Sequence, residues 1–303
     1  MNRAAQNTTT RRSAAACWIE AMRLRTLPVS AAGVVMAAAL GVAHGQVRWL
    51  PWTLCLLFAL LAQIASNFAN EYFDFRDGLD RKGRVGPRRG VTEGDITPRA
   101  MLTATILTLG IAAAIGCTLI YWGGWWLLAA GIVIVLGALA YSAGPYPLSR
   151  HALGEVAVIL FFGIVPVTLT YYVISGPVTP AVWFTALSTG LLGANILIVN
   201  NYRDIADDKA VGKTTLATIV GPRATLLLYL IDGVAAVGLM MPQWRQMPAG
   251  WQSVPELTVT IIVLLWLRIR KAKGAALNPM LGATAMVMLL YALAFLAANI
   301  FTN

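Results

Sequence analysis

The sequence predicts an all-α, polytopic membrane protein in which nine transmembrane helices form one bundle. Two compositional observations support this fold class: 58% of the 303 residues are hydrophobic and only 12% are charged. The third is that apolar segments of roughly 20 residues, the length that crosses a bilayer, recur along the whole chain. These segments cover residues 26–43, 51–73, 100–122, 125–142, 155–175, 180–200, 222–241, 255–268 with its flank, and 279–300.

The distribution of basic residues predicts the orientation in the membrane. Of the 23 Lys and Arg residues, all but Arg48 and Arg245 lie in the N-terminal tail or in connections on the same side as that tail. The positive-inside rule therefore places the tail and the large connections in the cytoplasm, and an odd number of spans places the C-terminus on the opposite side. Residues 1–16 are predicted to be a cytoplasmic polar tail, and residues 17–303 a single transmembrane domain.

Several classes of partner and site are not indicated. The net charge of +10 does not predict nucleic-acid binding, because the basic residues occupy short connections rather than a solvated face with interleaved aromatic residues. Cys17, Cys55 and Cys117 form no close pair, so neither a disulfide framework nor a zinc site is predicted. His44 and His151 are too scattered for a histidine-based metal centre. No obligate protein partner is evident in the sequence.

Two acidic clusters occur where an apolar segment ends and basic residues begin. One spacing is repeated, by Asn70, Asp74 and Asp77 and, 130 positions later, by Asn200, Asp204 and Asp207. At about 100° per residue the three members of each cluster share one helical face, and Asp208 follows one turn after Asp204. Like charges at this spacing repel unless a cation lies between them, and carboxylates near a bilayer are costly. Mg²⁺ is the expected cation, because it takes oxygen ligands from one or two carboxylates together with substrate phosphates.

Basic residues accompany both acidic clusters. They are Arg81, Arg84, Arg88 and Arg89 after the first cluster, and Arg203, Lys209 and Lys213 in or after the second. Arg and Lys bind phosphate oxygens, so the two clusters together predict a site for Mg²⁺ and a diphosphate. The alternative for any single cluster is a set of solvated charges beside the membrane.

These motifs closely resemble the UbiA superfamily of intramembrane aromatic prenyltransferases, and within it the 1,4-dihydroxy-2-naphthoate prenyltransferase branch. The similarity is carried by residues 67–80, the Arg84–Arg89 stretch, residues 141–145 with 153–155, residues 200–216, and residues 23–27 before the first span. Two positions depart from the family pattern. Glu71 stands where the family most often has Asp, so its carboxylate either reaches the metal or lies outside the metal's ligand shell. Tyr146 stands where many members of the branch have Lys.

The resemblance implies a bundle of nine helices around a central cavity that opens sideways to lipid. It implies Mg²⁺-dependent transfer of a polyprenyl group from its diphosphate to an aromatic acceptor, with 1,4-dihydroxy-2-naphthoate losing CO₂ in the process. The implied location is the bacterial inner membrane, with the active-site connections in the cytoplasm. Other acceptor rings, such as 4-hydroxybenzoate, homogentisate or a specialised metabolite, remain open.

The resemblance also assigns roles to individual residues. The predicted metal ligands are Asn70, Asp74, Asp77, Asp80, Asn200, Asn201, Asp204 and Asp208. The predicted catalytic residues are Asp74, Asp204, Asp208, Arg203, Lys213 and Tyr141. The predicted substrate-binding residues are Arg25, Asn67, Arg84, Arg88, Ser142 and Glu155, with Arg25 expected at the acceptor's carboxylate.

Two other functional classes are compatible with parts of the pattern. Secondary transporters also contain internal repeats and intramembrane acids, but their charges tend to lie near the bilayer midplane, and here the acids lie at helix ends on one side. Enzymes that transfer a phosphorylated group from a nucleotide-linked diphosphate to a lipid also use Asp clusters with Mg²⁺. They are expected to contain one longer Asp-rich run, which this sequence does not contain.

Overall fold

The computed structural model describes residues 12–80, 82 and 86–302, and within these residues the secondary structure is helical. The α-helices are α1 (Ala14–Met22), α2 (Leu27–Ala43), α3 (Trp49–Arg76), α4 (Gly90–Glu93), α5 (Pro98–Thr118), α6 (Ile120–Gly123), α7 (Trp126–Ser142), α8 (Gly154–Val158), α9 (Val165–Ser175), α10 (Pro180–Ala210), α11 (Leu216–Leu239), α12 (Met241–Trp244), α13 (Val254–Lys271) and α14 (Asn278–Thr302). A π-helical segment, Ile159–Ile164, joins α8 to α9. Short 3-10 turns lie at Leu24–Thr26, Leu148–Arg150 and Gly274–Leu277.

The predicted all-α membrane fold is confirmed, but the predicted count of nine spans is not. Each predicted apolar segment overlaps a helix. In the described part of the chain, seven continuous helical stretches, some of which combine neighbouring helices, are long and apolar enough to cross a membrane: Ala14–Ala43, Trp49–Arg76, Pro98–Gly123, Gly154–Ser175, Pro180–Ala210, Leu216–Leu239 and Gly274–Thr302. Helix α7 is apolar but shorter than these seven. Helix α13 has acidic and basic residues in its terminal turns, which lower its hydropathy. Of the predicted tail, residues 1–11 lie outside the described residues, and α1 begins at Ala14, inside the predicted tail boundary.

Helix α3 ends within the first acidic cluster. Its last helical residue is Arg76, and Gly78 adopts φ +70°, a left-handed conformation that glycine adopts without steric cost. The Leu79 N–H donates to the Asp74 carbonyl at 2.9 Å, which closes the helix in the manner of a Schellman turn. This turn folds Asp80 back beside Asp74, whose carbonyl lies 3.4 Å from the Asp80 nitrogen.

Helix α10 behaves differently, because it continues through the second acidic cluster to Ala210. Asn200, Asp204 and Asp208 therefore occupy successive turns of one helix. The chain then turns at Gly212, where the Lys213 N–H donates to the Asp208 carbonyl at 2.8 Å. Thr215 is the N-cap residue of α11 and forms a capping box with Thr218. The Thr215 hydroxyl accepts from the Thr218 N–H at 3.2 Å, and the Thr218 hydroxyl accepts from the Thr215 N–H at 2.9 Å.

The core brings helices close together through small residues. Helix α10 packs against α11 and the π-helical segment, and α2 packs against α14 and α9. A Cβ atom added to Gly163 would lie 2.4 Å from the Gly190 Cα atom, and one added to Gly33 would lie 3.0 Å from the Pro166 ring. Interfaces of this kind let helix backbones approach closely where lipid gives no hydrophobic driving force.

Replacing Gly163 by Ala is expected to destabilise the protein, because the new methyl group meets the backbone of α10 at 2.4 to 2.5 Å. Overpacking of this kind costs about 1–3 kcal/mol, and backbone cannot rotate away as a side chain can. The matched control is Gly110→Ala in α5, where an added Cβ meets nothing within 4 Å. Thermal unfolding in detergent should show a lower Tm for Gly163→Ala alone; an equal Tm for both variants would contradict the packing.

Candidate active site

A cavity of about 710 Å³ extends from the two acidic clusters into the bundle. Its polar end is lined by residues of α3, α10 and the connections that follow them. The rest of the cavity is lined mainly by apolar and small residues of α2, α3, α5, α7, the π-helical segment and α9. Examples are Phe58, Gly116, Val135, Phe161 and Leu169. A single cavity therefore joins a charged compartment to a long apolar one.

Asn70 is the centre of the hydrogen-bond network at the first acidic cluster. Its side-chain oxygen accepts from Arg23 and from Arg89, each at 3.0 Å. Its amide nitrogen donates to the Ser142 hydroxyl at 3.0 Å. Asn70 therefore links the turn before α2, the connection after α3 and the end of α7, three segments that are distant in sequence.

Two arginines from the connections that follow α3 and α7 bind the aspartates of the first cluster. Arg89, whose side chain is only 6% exposed, lies 3.2 Å from Asp80 and 3.5 Å from Asp74. Arg150 lies 2.7 Å from Asp77 and 3.5 Å from the other oxygen of Asp74. Hydrogen bonds from Arg76 and then Arg150 hold the pKa of Asp77 below its usual range, so this carboxylate keeps its charge at neutral pH.

The second acidic cluster is organised around a buried arginine. The Arg203 guanidinium, 1% exposed, contacts both oxygens of Asp204 at 2.6 and 2.7 Å. It also donates to Asn200 at 2.7 Å and to Asn278, at the start of α14, at 2.8 Å. Such a bidentate, fully bonded arginine fixes the Asp204 carboxylate in one orientation.

The remaining polar residues of the second cluster face α8 and the turn after α10. Lys213 lies 3.3 Å from an oxygen of Asp208. The Asn201 amide donates to Glu155 at 2.8 Å, so α8 is bonded directly to α10. The second Glu155 oxygen is buried and has no hydrogen-bond partner among the described residues.

Glu71, the departure from the family pattern, is not directed at the cluster. It is 0% exposed, and one of its oxygens accepts from the Val91 N–H, at the first turn of α4, at 2.9 Å. Of the two positions that the sequence left open for this carboxylate, the structure favours the one outside the ligand shell. The longer Glu side chain instead holds the connection that carries Arg89.

The donor set suits Mg²⁺ better than a softer metal. Among the described residues, no group of three His, Cys, Asp or Glu side chains is placed to hold a metal ion by itself. The side chains available are two carboxylates and an amide at each cluster, and phosphate oxygens and water can complete the coordination. This is the coordination that Mg²⁺ adopts with phosphorylated substrates, so the residues fit the ion.

The structure brings most of the predicted site residues to the cavity wall. Those that line it are Asn67, Asn70, Asp74, Asp80, Tyr141, Glu155, Asn200, Asn201, Asp204, Asp208 and Lys213. Ser142 and Arg203 lie just behind the wall and bind lining residues. Arg84 lies outside the described residues.

Three predicted residues are placed away from the cavity. Asp77 is bound by Arg76 and Arg150, and Arg88 forms an ion pair with Asp95. Arg25 is exposed and does not line the cavity. The prediction for Asp77 assumed that α3 continues through this residue. Because α3 ends at Arg76, Asp77 does not share the helical face of Asn70 and Asp74.

Three arginines that the site prediction omitted contact the first acidic cluster. Arg23 and Arg89 line the cavity, and Arg150 approaches Asp74 from behind it. Arg23 has a left-handed backbone, φ +52°, which is uncommon for a residue other than glycine. The sequence signal for Arg89 was its place among the basic residues after the first cluster, and the signal for Arg23 was its position two residues before Arg25.

The chain is similar over residues 31–293 to the model of the UbiA prenyltransferase family. It is 33% identical to the 1,4-dihydroxy-2-naphthoate octaprenyltransferase of Mycobacterium tuberculosis over 94% of this chain and 97% of that protein. It is 36% identical to the enzyme of the same name from Escherichia coli over 67% of this chain and 68% of that protein.

Solved structures show the same fold at low sequence identity. A UbiA homolog from Aeropyrum pernix K1 superimposes with a TM-score of 0.68 at 16% identity, covering 91% of this chain and 97% of that one. A UbiA homolog from Archaeoglobus fulgidus, solved with DMAPP and Mg²⁺, gives a TM-score of 0.62 at 17% identity, covering 93% and 99%.

Proposed function

Since this chain belongs to the UbiA prenyltransferase family, we propose that it transfers a polyprenyl group from an allylic diphosphate to 1,4-dihydroxy-2-naphthoate, with loss of CO₂. The observation that carries the proposal is the single cavity with two acidic clusters at one end and an apolar remainder. A polyprenyl diphosphate has the same division, a charged head and a long apolar tail.

The basic residues at the polar end would bind the diphosphate. Arg89 and Lys213 line the cavity, one beside each acidic cluster, and each approaches a carboxylate within 3.5 Å. In the structure these cations balance the acids. When Mg²⁺ and the diphosphate bind, the same cations are close enough to neutralise phosphate oxygens and to stabilise the leaving diphosphate.

The metal would be held by side chains of both clusters: Asn70, Asp74 and Asp80 on one side, and Asn200, Asp204 and Asp208 on the other. A carboxylate oxygen has more than one lone pair, so Asp204 can accept from Arg203 and still face a cation. Bound Mg²⁺ would supply Lewis-acid stabilisation of the diphosphate as the allylic C–O bond breaks. Arg203 fixes the orientation of Asp204, and Arg89 fixes that of Asp80.

The apolar part of the cavity would hold the polyprenyl chain and limit the access of water to the reacting carbon. Small residues such as Gly116, Gly131 and Gly137 line it and leave room for the chain. Excluding water matters because an electron-deficient allylic carbon would otherwise be hydrolysed. The allylic carbon, once its bond to the diphosphate oxygen breaks, would be attacked by an electron-rich ring carbon of the acceptor, and the acceptor would lose its carboxyl group as CO₂.

The acceptor would lie between Tyr141, Glu155 and Asn67, which line the cavity next to the acidic clusters. The choice of the naphthoate is supported by the relatives, which are 1,4-dihydroxy-2-naphthoate octaprenyltransferases at 33% and 36% identity. A naphthoate acceptor has a carboxylate, which needs a cationic partner. Of the two arginines before the first span, Arg23 lines the cavity and is the candidate for binding this carboxylate. Arg25, the residue predicted from the sequence, is exposed.

The function is tested by incubating the purified protein in lipid with a labelled polyprenyl diphosphate and one acceptor at a time. The expected result is a prenylated naphthalene product and one CO₂ per product with 1,4-dihydroxy-2-naphthoate, in Mg²⁺ but not in EDTA. Product from 4-hydroxybenzoate or homogentisate, without product from the naphthoate, would overturn the proposed acceptor while leaving prenyl transfer intact.

Arg23→Gln is expected to raise the KM for the naphthoate about tenfold or more, because a charge-assisted hydrogen bond to a carboxylate is lost. Arg25→Gln is the matched comparison, two positions away but exposed, and should change this KM less than twofold. Steady-state kinetics at saturating diphosphate separate the two. A larger effect at Arg25 would return the acceptor's carboxylate to the residue predicted from the sequence.

A further inference from the structure

We propose that Arg150 is a positioning residue that couples the two acidic clusters through the connection between α7 and α8. This connection, the 143–153 connector, consists of residues 143–153 between Ser142 and Gly154. The inference rests on the proposed function for its kinetic consequences, but its structural part concerns the ligand-free protein. It assigns to Asp77 the role of anchoring Arg150, in place of the metal-ligand role predicted from the sequence.

Arg150 contacts two aspartates of the first acidic cluster and the end of α7. One guanidinium nitrogen lies 2.7 Å from Asp77, and the other lies 3.5 Å from Asp74. The second nitrogen also donates to the Ser142 carbonyl at 3.3 Å, at the end of α7. Asp77 therefore holds Arg150 at short distance. Arg150 in turn places a positive charge beside Asp74 Oδ1, whereas the contact from Arg89 is to Asp74 Oδ2.

The residues that follow Arg150 contact the turn after the second acidic cluster. His151 forms an isolated parallel bridge with Thr214, and the Ala152 N–H donates to the Thr214 carbonyl at 3.0 Å. Lys213, the residue before Thr214, binds Asp208 through its side chain at 3.3 Å and through its backbone N–H at 2.8 Å. A continuous series of contacts thus leads from Asp74 to Asp208.

Backbone strain lies at the middle of this series. Ala152 has φ +57°, a left-handed conformation that alanine rarely adopts. Such conformations persist only where the surroundings determine them, and they are concentrated at functional sites. At Ala152 the determining contacts are the hydrogen bond to Thr214 on one side and the turn that carries Arg150 on the other.

The consequence is that the 143–153 connector helps to hold the two acidic clusters in position, in addition to the packing of α3 and α10 against their own neighbouring helices. Without Arg150, Asp74 loses a fixed partner and the connector loses its link to the first cluster. Residues behind a ligand-binding carboxylate typically change binding or activity by about 10-fold to 100-fold when they are removed. The loss should fall on the binding of Mg²⁺ and diphosphate more than on kcat.

The test compares Arg150→Gln with Arg76→Gln. Arg76 also binds Asp77, at 2.8 Å, but its side chain is 52% exposed and does not reach Asp74 or Ser142 in the described contacts. We expect Arg150→Gln to raise the diphosphate KM and the half-saturating Mg²⁺ concentration about tenfold, and Arg76→Gln to change neither more than twofold. Arg150→Lys, which keeps the positive charge but replaces the two guanidinium nitrogens by one ammonium group, should recover part of the loss.

The second readout is amide hydrogen exchange in the ligand-free protein without Mg²⁺. Arg150→Gln should accelerate exchange in residues 151–153 and 213–215, while the buried turns of α10 keep wild-type protection and so report an intact fold. Unchanged exchange at 213–215 would overturn the coupling. If exchange changes as expected but the wild-type protein transfers no prenyl group, the proposed function fails and the coupling stands.

Discussion

Asp204→Asn is expected to lower the rate of prenyl transfer by about a thousandfold, since removing one charged ligand of a catalytic metal takes away several kcal/mol of transition-state stabilisation. Asp74→Asn, in the other cluster, should have an effect of similar size. Both residues line the polar end of the cavity, on α10 and α3. The measurement is single-turnover product formation at saturating diphosphate, with Mg²⁺ varied.

The choice of Asn rather than Ala matters at this position. The Arg203 side chain is 1% exposed, and its guanidinium contacts both oxygens of the Asp204 carboxylate. Asp204→Ala would leave a buried guanidinium without its carboxylate, which costs about 3–5 kcal/mol of folding free energy. Loss of activity in the Ala variant would then report unfolding as well as catalysis, whereas Asn keeps one oxygen for Arg203.

Asp95→Asn is the matched control for both substitutions. Asp95 is also an aspartate bound by an arginine, Arg88, but it does not line the cavity. Its replacement should leave turnover within twofold of wild type. Full Mg²⁺-dependent turnover in either Asp74→Asn or Asp204→Asn would contradict a metal role for that cluster.

Arg89→Gln is expected to reduce kcat/KM for the diphosphate by about a hundredfold. Arg89 contacts Asn70, Asp74 and Asp80 together, at 3.0, 3.5 and 3.2 Å. Its replacement leaves two neighbouring carboxylates without this cation, and their repulsion opposes the closed turn at Gly78. Charged partners of this kind contribute about 2–3 kcal/mol, which corresponds to the expected loss.

Arg88→Gln provides the comparison, because the sequence predicted the diphosphate contact at that residue. Arg88 is bound to Asp95, outside the cavity. We expect a loss of less than fivefold for Arg88→Gln under the conditions that show the large loss for Arg89→Gln. Kinetics with the diphosphate as the varied substrate decide between them, and the opposite order would restore the sequence-based assignment.

Much of the architecture follows from local properties of the sequence. Apolar segments with charged ends predict where helices lie, and the spacing of Asn70 and Asp74 predicts that they share a face, as they do on α3. The same reasoning holds for Asn200, Asp204 and Asp208 because α10 remains helical to Ala210. Periodicity predicts neighbours correctly for as long as the helix continues.

The contacts that sequence reasoning missed are those between distant segments. Arg23 reaches Asn70 across 47 positions, and Arg150 reaches Asp77 across 73. Nothing in the spacing of either arginine distinguishes it from the other basic residues of the tail and connections, whose distribution the positive-inside rule predicts in any case. Their selection depends on tertiary packing, which also decides that Arg89 rather than Arg88 is buried.

The two clusters also differ in a way that their similar spacing conceals. On α3 the helix ends before Asp77, and the left-handed turn at Gly78 returns Asp80 to the site. On α10 the third acid, Asp208, is reached along the helix itself. The two similar sequence stretches therefore form different local structures. Each structure nevertheless places two carboxylates beside an amide.

The central claim is that both acidic clusters form one site for Mg²⁺ and diphosphate. It is tested most directly by calorimetric titration of inorganic pyrophosphate into wild-type protein, Asp74→Asn, Asp204→Asn and the double variant, each in Mg²⁺ and in EDTA. One shared site predicts Mg²⁺-dependent binding in the wild type, near-complete loss in each single variant and little further loss in the double variant. Binding that is halved by each single change and abolished only by both, or that is unaffected by EDTA, would contradict the claim.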